Sequence, residues 1–266
     1  MTELADSVTA GTAVSAWQDA ITLVAQCLPG AYVRLGSAGT RIHFTTLPVP
    51  ELNAVCVDPE RDLAEVDAFA RELSEHGLPW TIQVRGEVDP ELARLAARHG
   101  RTAASTLPLN LWHAESQPVA SPHRVTVGDV PGGAKVREVS GADSAVFAAA
   151  LAAGFGLPRG AVDMMSQPAL LAAPGITGFV LDLHGEAVAT GLNVVVGDQV
   201  GMFCGSVPPQ HRRNGYYRRL VTARLAHGVA HGARHAFVQN TPMSRPLYES
   251  LGFRLAETWT YLKAAE

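Results

Sequence analysis

Cysteine is scarce in this chain, and its three cysteines, at positions 27, 56 and 204, form an odd count without metal or disulfide spacing. Each lies in an apolar stretch, as is typical of buried free thiols. We therefore expect a protein of the reducing cytoplasm. His227 and His231 are four residues apart, a spacing found in metal ligands, but no motif supplies a further ligand. The sequence predicts no metal site.

Long apolar runs and a strong net charge are also missing. No stretch of about 18 uninterrupted apolar residues occurs, and the first residues, MTELADSVTAG, are acidic and lack the apolar core of a secretion signal. The formal net charge is -4 and the pI is near 6.2, whereas a nucleic-acid-binding protein needs a broad basic face. We expect neither membrane insertion, nor secretion, nor a nucleic-acid partner.

Length and composition indicate two domains. The chain has 266 residues, 47% of them hydrophobic, and a domain takes about 150 residues on average. Residues 113–133 are polar and rich in proline and glycine, and they lie between two regions of alternating strand and helix patterns. We predict a first domain at residues 1–115, a linker at 116–132 and a second domain at 133–266.

The second region has a readable order of elements. It begins with a strand (AKVREV), an alanine-rich helix over 142–153, and three strands joined by turns at 184–185 and 197–198, which form an antiparallel meander. A helix over 217–230, the strand HAFVQN, a short helix that stops at Gly252 and a last strand, RLAETWTYLK, follow. The pattern is typical of an α+β fold.

A weak internal repeat relates the two regions. Residues 76–112 align with residues 231–263 as strand, helix, glycine and strand. The first copy differs where chemistry is expected, because it has the acidic segment VCVDPERDLAEVD and carries Ala96 where the second copy has Tyr248. We therefore interpret the first copy as degenerate.

The basic charge is concentrated in residues 207–225, VPPQHRRNGYYRRLVTARL. A short strand leads there into a loop that opens a helix, and the segment 211–224 holds five arginines and no acid. The start of a helix has unpaired N–H groups and carries roughly half a positive charge, and Gly215 lets a ligand approach the backbone. The pattern predicts an anion site. The five arginines are Arg212, Arg213, Arg218, Arg219 and Arg224.

Two motifs at this point resemble the GCN5-related N-acetyltransferase (GNAT) superfamily. Its pyrophosphate loop, (Gln/Arg)-x-x-Gly-x-(Gly/Ala) after a strand ending in Val-x-Pro, is matched by RRNGYY after VPP, and its LeuTyrGlu-x-x-GlyPhe element is matched by residues 247–253. The resemblance implies an α+β protein of two GNAT-like domains, each a mostly antiparallel mixed sheet flanked by helices. Tyr217 departs from the family pattern, which has Gly or Ala there, and its ring either crowds the cofactor or points away.

The resemblance also implies a cofactor and site residues. Acetyl-CoA (coenzyme A) is expected as cosubstrate, in a gap where the strand ending at Ser206 and Val207 splays from the strand at 237–240. Tyr248 is expected as the general acid that protonates the leaving thiolate, although a core tyrosine with a satisfied hydroxyl is the alternative. The backbone groups expected to hold the pyrophosphate are those of Arg212, Arg213, Asn214, Gly215, Tyr216 and Tyr217.

We expect an N-acetyltransferase that transfers an acetyl group to an amine of a small molecule or protein by direct attack. No general base is assigned, and the candidates are Asn193, Cys204, Glu249 and His184. The alternative function is a non-catalytic acyl-CoA-binding or regulatory module, and a homodimer is possible. Acceptor specificity is expected in the loop 154–178, which includes Met164 and Met165.

Overall fold

A computed structural model of the chain describes residues 2–115, 133–158, 160 and 162–265, so the predicted linker lies outside the described residues. The first half contains α1 (Thr2–Gln26), β1 (Tyr32–Leu35), β2 (Arg41–Phe44), β3 (Asn53–Val57), α2 (Leu63–Glu75), β4 (Thr81–Arg85), α3 (Pro90–Arg98) and β5 (Ala103–His113). The second half contains β6 (Lys135–Val139), α4 (Ser144–Phe155), α5 (Pro168–Leu171), β7 (Ile176–Leu183), β8 (Glu186–Val196), β9 (Gln199–Ser206), α6 (Tyr216–Ala230), β10 (His235–Gln239), α7 (Arg245–Ser250) and β11 (Arg254–Lys263).

These strands form a single mixed sheet in the order β1-β2-β3-β4-β11-β5-β10-β9-β8-β7-β6. Neighbouring strands are antiparallel except for two parallel pairs, β3 with β4 and β9 with β10. The predicted α+β class is confirmed. The elements predicted for residues 133–266 occur in the predicted order, and α4 and α6 differ from the predicted bounds by no more than two residues at either end.

The internal repeat is visible as β4, α3 and β5 in the first half and β10, α7 and β11 in the second. The two halves exchange their last strands. β11 pairs with β4 through Trp259 opposite Arg85, and β5 pairs with β10 through Trp112 opposite Ala236. β5 and β11 also pair with each other at the centre of the sheet. Each half therefore completes the sheet of the other.

Helix α1, which the sequence analysis did not identify, packs against the centre of the sheet. The ring of Trp17 stands edge-on to that of Trp259, with centroids 5.0 Å apart. Ile21 joins the same buried cluster as Phe147 of α4 and Leu109 of β5. This helix therefore connects the apolar core of both halves. None of the described helices combines the length and the hydrophobicity that a bilayer crossing requires.

Candidate active site

β9 and β10 separate inside the sheet, as the family resemblance implies. They pair in parallel only where residues 199–201 lie opposite residues 235–237, ending at Gly201 and Phe237. β9 nevertheless continues to Ser206. The strand ends beyond these pairs leave a gap that opens toward the loop before α6.

A bulge shapes the β9 side of this gap. The register of β8 and β9 shifts between Thr190 and Leu192, and Cys204 has φ 51°. The guanidinium of Arg224, which is 0% exposed, donates hydrogen bonds to the carbonyl oxygens of Leu192 (2.6 Å) and Phe203 (3.0 Å). Arg224 therefore fixes the bulge from beneath. The expectation that Arg224 contributes to the basic anion site is wrong, because its side chain lies in the core.

The loop before α6 has the geometry of an anion site. Gly215 is the N-cap of α6, with φ 76°, a left-handed conformation that suits glycine. The first bond of the helix runs from the N–H of Arg219 to the carbonyl oxygen of Gly215 (3.2 Å). The N–H groups of Tyr216, Tyr217 and Arg218 accordingly have no acceptor within the helix. They are available to a negatively charged ligand.

The exposed arginines of the loop differ in what they contact. Arg212 braces the loop, because its guanidinium donates to the carbonyl oxygens of Val207 (3.0 Å) and Gly154 (3.4 Å). Arg218 donates to the hydroxyl of Ser250 (2.7 Å). Arg213 is exposed and lines the same cavity as these two.

Asn214 is positioned differently from the other predicted loop residues. Its side-chain amide donates to the carbonyl oxygens of His211 (3.3 Å) and Arg212 (3.2 Å), and it does not line the cavity. Ser206 and Val207 do line it. The hydroxyl of Ser206 is hydrogen-bonded to that of Thr190 (2.7 Å), which holds the end of β9 in place.

Tyr248 and Tyr217 face each other in the gap. Their hydroxyl oxygens are 2.8 Å apart, and their rings are nearly perpendicular. Tyr217 therefore points into the gap. Its hydroxyl lies so close to Gly205 that a side chain at position 205 would overlap it. Tyr248 is 3% exposed, and burial raises its pKa well above the ordinary value of a tyrosine, while the charge of Arg224 acts in the opposite direction. The Tyr248 hydroxyl thus stays protonated at neutral pH.

One cavity of about 1190 Å³ joins these features. It begins at the loop, passes through the gap between β9 and β10, and ends against the first half of the chain. Six apolar residues, which we call the apolar wall, cover that end: Trp17, Ile21, Val24, Leu47, Val49 and Leu52. The expectation that the loop 154–178 forms the acceptor side is only partly met, because Met165 lines the cavity whereas Met164 does not.

Of the four candidate bases, only Cys204 lines the cavity, and burial raises the pKa of its thiol to about 12. Asn193 is occupied by hydrogen bonds with Arg224, and Glu249 pairs with Arg245 on the surface. His184 lies in the turn between β7 and β8.

Glu51, which the sequence analysis missed, is the only carboxylate among the described residues that line the cavity. In the sequence, Glu51 could have been noticed as an acidic residue between the apolar residues Val49 and Leu52.

Comparisons with known proteins agree with this fold. Residues 177–262 match the family of FR47-like proteins. No curated protein matches the chain. Among solved structures, a GCN5-related N-acetyltransferase from Kribbella flavida has 18% identity and a TM-score of 0.61, and the match covers 97% of this chain and 95% of that one.

Two further structures have similar folds. A tandem GNAT protein from the clavulanic acid biosynthesis pathway has 15% identity and a TM-score of 0.56, with 96% of each chain covered. A putative acetyltransferase of the GNAT family from Novosphingobium aromaticivorans has 17% identity and a TM-score of 0.54, covering 85% of this chain and 87% of that one. The chain has the fold of these GNAT proteins over most of its length.

Among the described residues of the first copy of the repeat, no gap corresponds to the one in the second. There β3 and β4 stay paired up to the last residue of β3, where Val57 lies opposite Val84. Beyond this point Arg85 donates to the carboxylates of Asp58 (3.1 Å) and Glu257 (2.8 Å). The ion pairs close the end of the first copy that corresponds to the opening in the second.

The gap requires a close approach between α4 and the end of β9. A Cβ on Gly154 would overlap the hydroxyl of Ser206 and lie 3.1 Å from the N atom of Val207. We expect Gly154→Ala to lower the free energy of unfolding by about 1–3 kcal/mol, because β9 must shift. Gly11→Ala, on α1 with open space around its Cβ, should instead be neutral or stabilising. Urea unfolding measures both, and equal effects of the two substitutions would contradict this packing.

Proposed function

We propose that this chain is an acetyl-CoA-dependent N-acetyltransferase that transfers the acetyl group to an amine by direct attack. The observation that carries the proposal is the shared cavity, which joins an anion-binding loop, a gap between parallel strands and a buried tyrosine hydroxyl. The positive charge of the loop suits the phosphates of such a thioester, the unpaired backbone of the gap suits its arm, and the tyrosine hydroxyl can protonate its sulfur.

The loop residues suit the phosphates of coenzyme A. The free N–H groups at the start of α6 can donate hydrogen bonds to an anion, and the guanidinium of Arg213 adds positive charge at the surface. The backbone of β9 beyond Gly201 has lost its β10 partner and can hydrogen-bond the amide groups of the pantetheine arm. The thioester would then lie near Tyr248 and Tyr217.

The transfer needs a neutral amine. An alkylamine has a pKa near 10.4, so its deprotonation costs about 4–5 kcal/mol at pH 7. The amine nitrogen attacks the carbonyl carbon, the C–N bond forms, and the nitrogen releases its proton to water. When the intermediate collapses, the C–S bond breaks and the thiolate takes the proton of the Tyr248 hydroxyl.

The surroundings of Tyr248 fit this role. Burial and the neighbouring Tyr217 raise the pKa of Tyr248, which keeps its proton in place until the thiolate forms, and the buried guanidinium of Arg224 acts in the opposite direction. The hydroxyl of Tyr217, at 2.8 Å, connects Tyr248 to the half-buried start of α6 and can supply the replacement proton. Tyr217 therefore assists the donor in this proposal instead of blocking the cofactor.

Replacement of Gly215 tests the loop. Gly215→Val introduces a branched side chain at φ 76° and should weaken binding of acetyl-CoA by at least about tenfold, because the free N–H groups are displaced. Gly232→Val provides the control, since Gly232 has φ 90° at the far end of α6 and the same open space around it. Calorimetry should show weakened binding in the first variant alone. Equal affinities in the two variants would exclude this loop as the phosphate site.

Removal of the Tyr248 hydroxyl tests the chemistry. Tyr248→Phe should lower kcat about 10²-fold, the usual size of acid catalysis, without weakening acetyl-CoA binding. Free-thiol release from acetyl-CoA with a panel of small amines and lysine peptides measures kcat. Tyr32→Phe is the control, because it removes a hydroxyl bonded to Glu72 on the remote first copy.

The pH profile adds a second measurement to the Tyr248 test. Its pKa is raised, and the protonated form is the active one, so kcat should not fall through loss of this proton below about pH 10. An unchanged kcat in Tyr248→Phe would refute the role. Binding of acetyl-CoA without thiol release on any amine would favour the acyl-CoA-binding module instead.

A further inference from the structure

The end of the cavity away from the anion loop is apolar and belongs to the first half of the chain. Helix α1 and the connection between β2 and β3 supply the apolar wall, and Trp17, Ile21 and Leu47 are no more than 2% exposed. A ligand that packs its own apolar surface on the half-buried members of this wall, Val49 and Leu52, releases water from them. A strongly hydroxylated ligand would leave polar groups without hydrogen bonds there.

Glu51 places one negative charge beside this wall. It lies in the short 3-10 turn Pro50–Leu52, and no ion pair or hydrogen bond to its carboxylate occurs within the described part of the chain. The cationic side chains that line the cavity, such as those of Arg212 and Arg213, belong to the anion loop at the other end. The cavity thus has a positive end and a negative end.

Glu51 lines the same cavity as the part of β10 that borders the gap between β9 and β10. The Tyr261 hydroxyl donates to the side-chain oxygen of Gln239 (2.8 Å), and Gln239 lines the cavity on β10. Glu51, Gln239 and Tyr248 therefore belong to the lining of one cavity.

We propose that the acceptor is a cationic amine on an alkyl or arylalkyl body, bound with its apolar body on the apolar wall and its ammonium group attracted by Glu51. This inference rests on the proposed acetyl transfer, and it names the acceptor class of the same site. The first GNAT copy, which has no cofactor gap of its own, thereby acquires a function as the acceptor-binding half.

A long acyl chain on the thioester is the competing occupant. It would cover the apolar wall, but it would leave the carboxylate of Glu51 with less water and no partner, which is unfavourable. An apolar amine satisfies both the wall and the charge. The charge complementarity therefore favours the amine.

Direct binding tests the proposal, measured by calorimetry in the presence of coenzyme A with phenethylamine, phenethyl alcohol and ethanolamine. Wild-type protein should bind phenethylamine at least about tenfold more tightly than ethanolamine. Glu51→Gln should weaken phenethylamine binding about tenfold and leave phenethyl alcohol unchanged, because the alcohol has no charge. Glu87→Gln, which removes an exposed acid outside the cavity, is the matched control.

The wall is tested separately at a half-buried position. Val49→Ser should weaken phenethylamine and phenethyl alcohol alike, by about fivefold, since both present the same ring to the apolar wall. A folded Val49→Ser protein that binds both as tightly as wild type would overturn the placement of the acceptor body.

The outcomes separate this inference from the proposed function. Acetyl transfer to ethanolamine with the efficiency seen for phenethylamine would overturn the acceptor class and leave the acetyltransferase intact. If the protein uses octanoyl-CoA efficiently and Glu51→Gln does not change this activity, the apolar wall binds the acyl chain. That result would also overturn the acceptor class. Glu51-dependent binding of phenethylamine without any acetyl-CoA binding would support the amine site while refuting the acetyltransferase.

Discussion

The separation of β9 from β10 after Gly201 and Phe237 determines how the rest of this molecule is arranged. Parallel strands usually stay paired because unpaired backbone groups inside a protein are costly. Here the bulge at Cys204 turns β9 aside, and the fully buried guanidinium of Arg224 satisfies carbonyl oxygens on both strands of the bulge. The bulge and these hydrogen bonds thus maintain the opening in the second copy. In the first copy the corresponding strands stay paired up to Val57.

The exchange of last strands explains why the degenerate copy is retained beside the opening. β11 pairs with β4, and β5 pairs with β10, so the two copies share one sheet and one buried apolar cluster that contains residues of both. Helix α1 and the turn around Glu51 are thereby held against the side of the gap that faces away from the anion loop. A copy without a cofactor gap can still shape the pocket of its neighbour.

Sequence patterns predict much of the second copy, because its signals are local. The loop RRNGYY, the LYESLGF element and the strand turns at 184–185 and 197–198 depend on residues that are close in the chain. Other features arise only from long-range packing. Three such features depend on residues from separate elements: the contact of Tyr217 with Tyr248, the burial of Arg224, and the position of Glu51 in the cavity. The surface that helix α1 covers likewise cannot be predicted from its own sequence, because this surface exists only in the assembled sheet.

The stoichiometry of cofactor binding tests most directly whether the separation of β9 and β10 creates the site. Calorimetric titration of the full chain with acetyl-CoA should give about one bound molecule per chain, because β3 and β4 leave no gap in the first copy. The bound molecule should be lost in Gly215→Val. A stoichiometry of about two, or binding that survives Gly215→Val unchanged, would contradict a single site in the second copy.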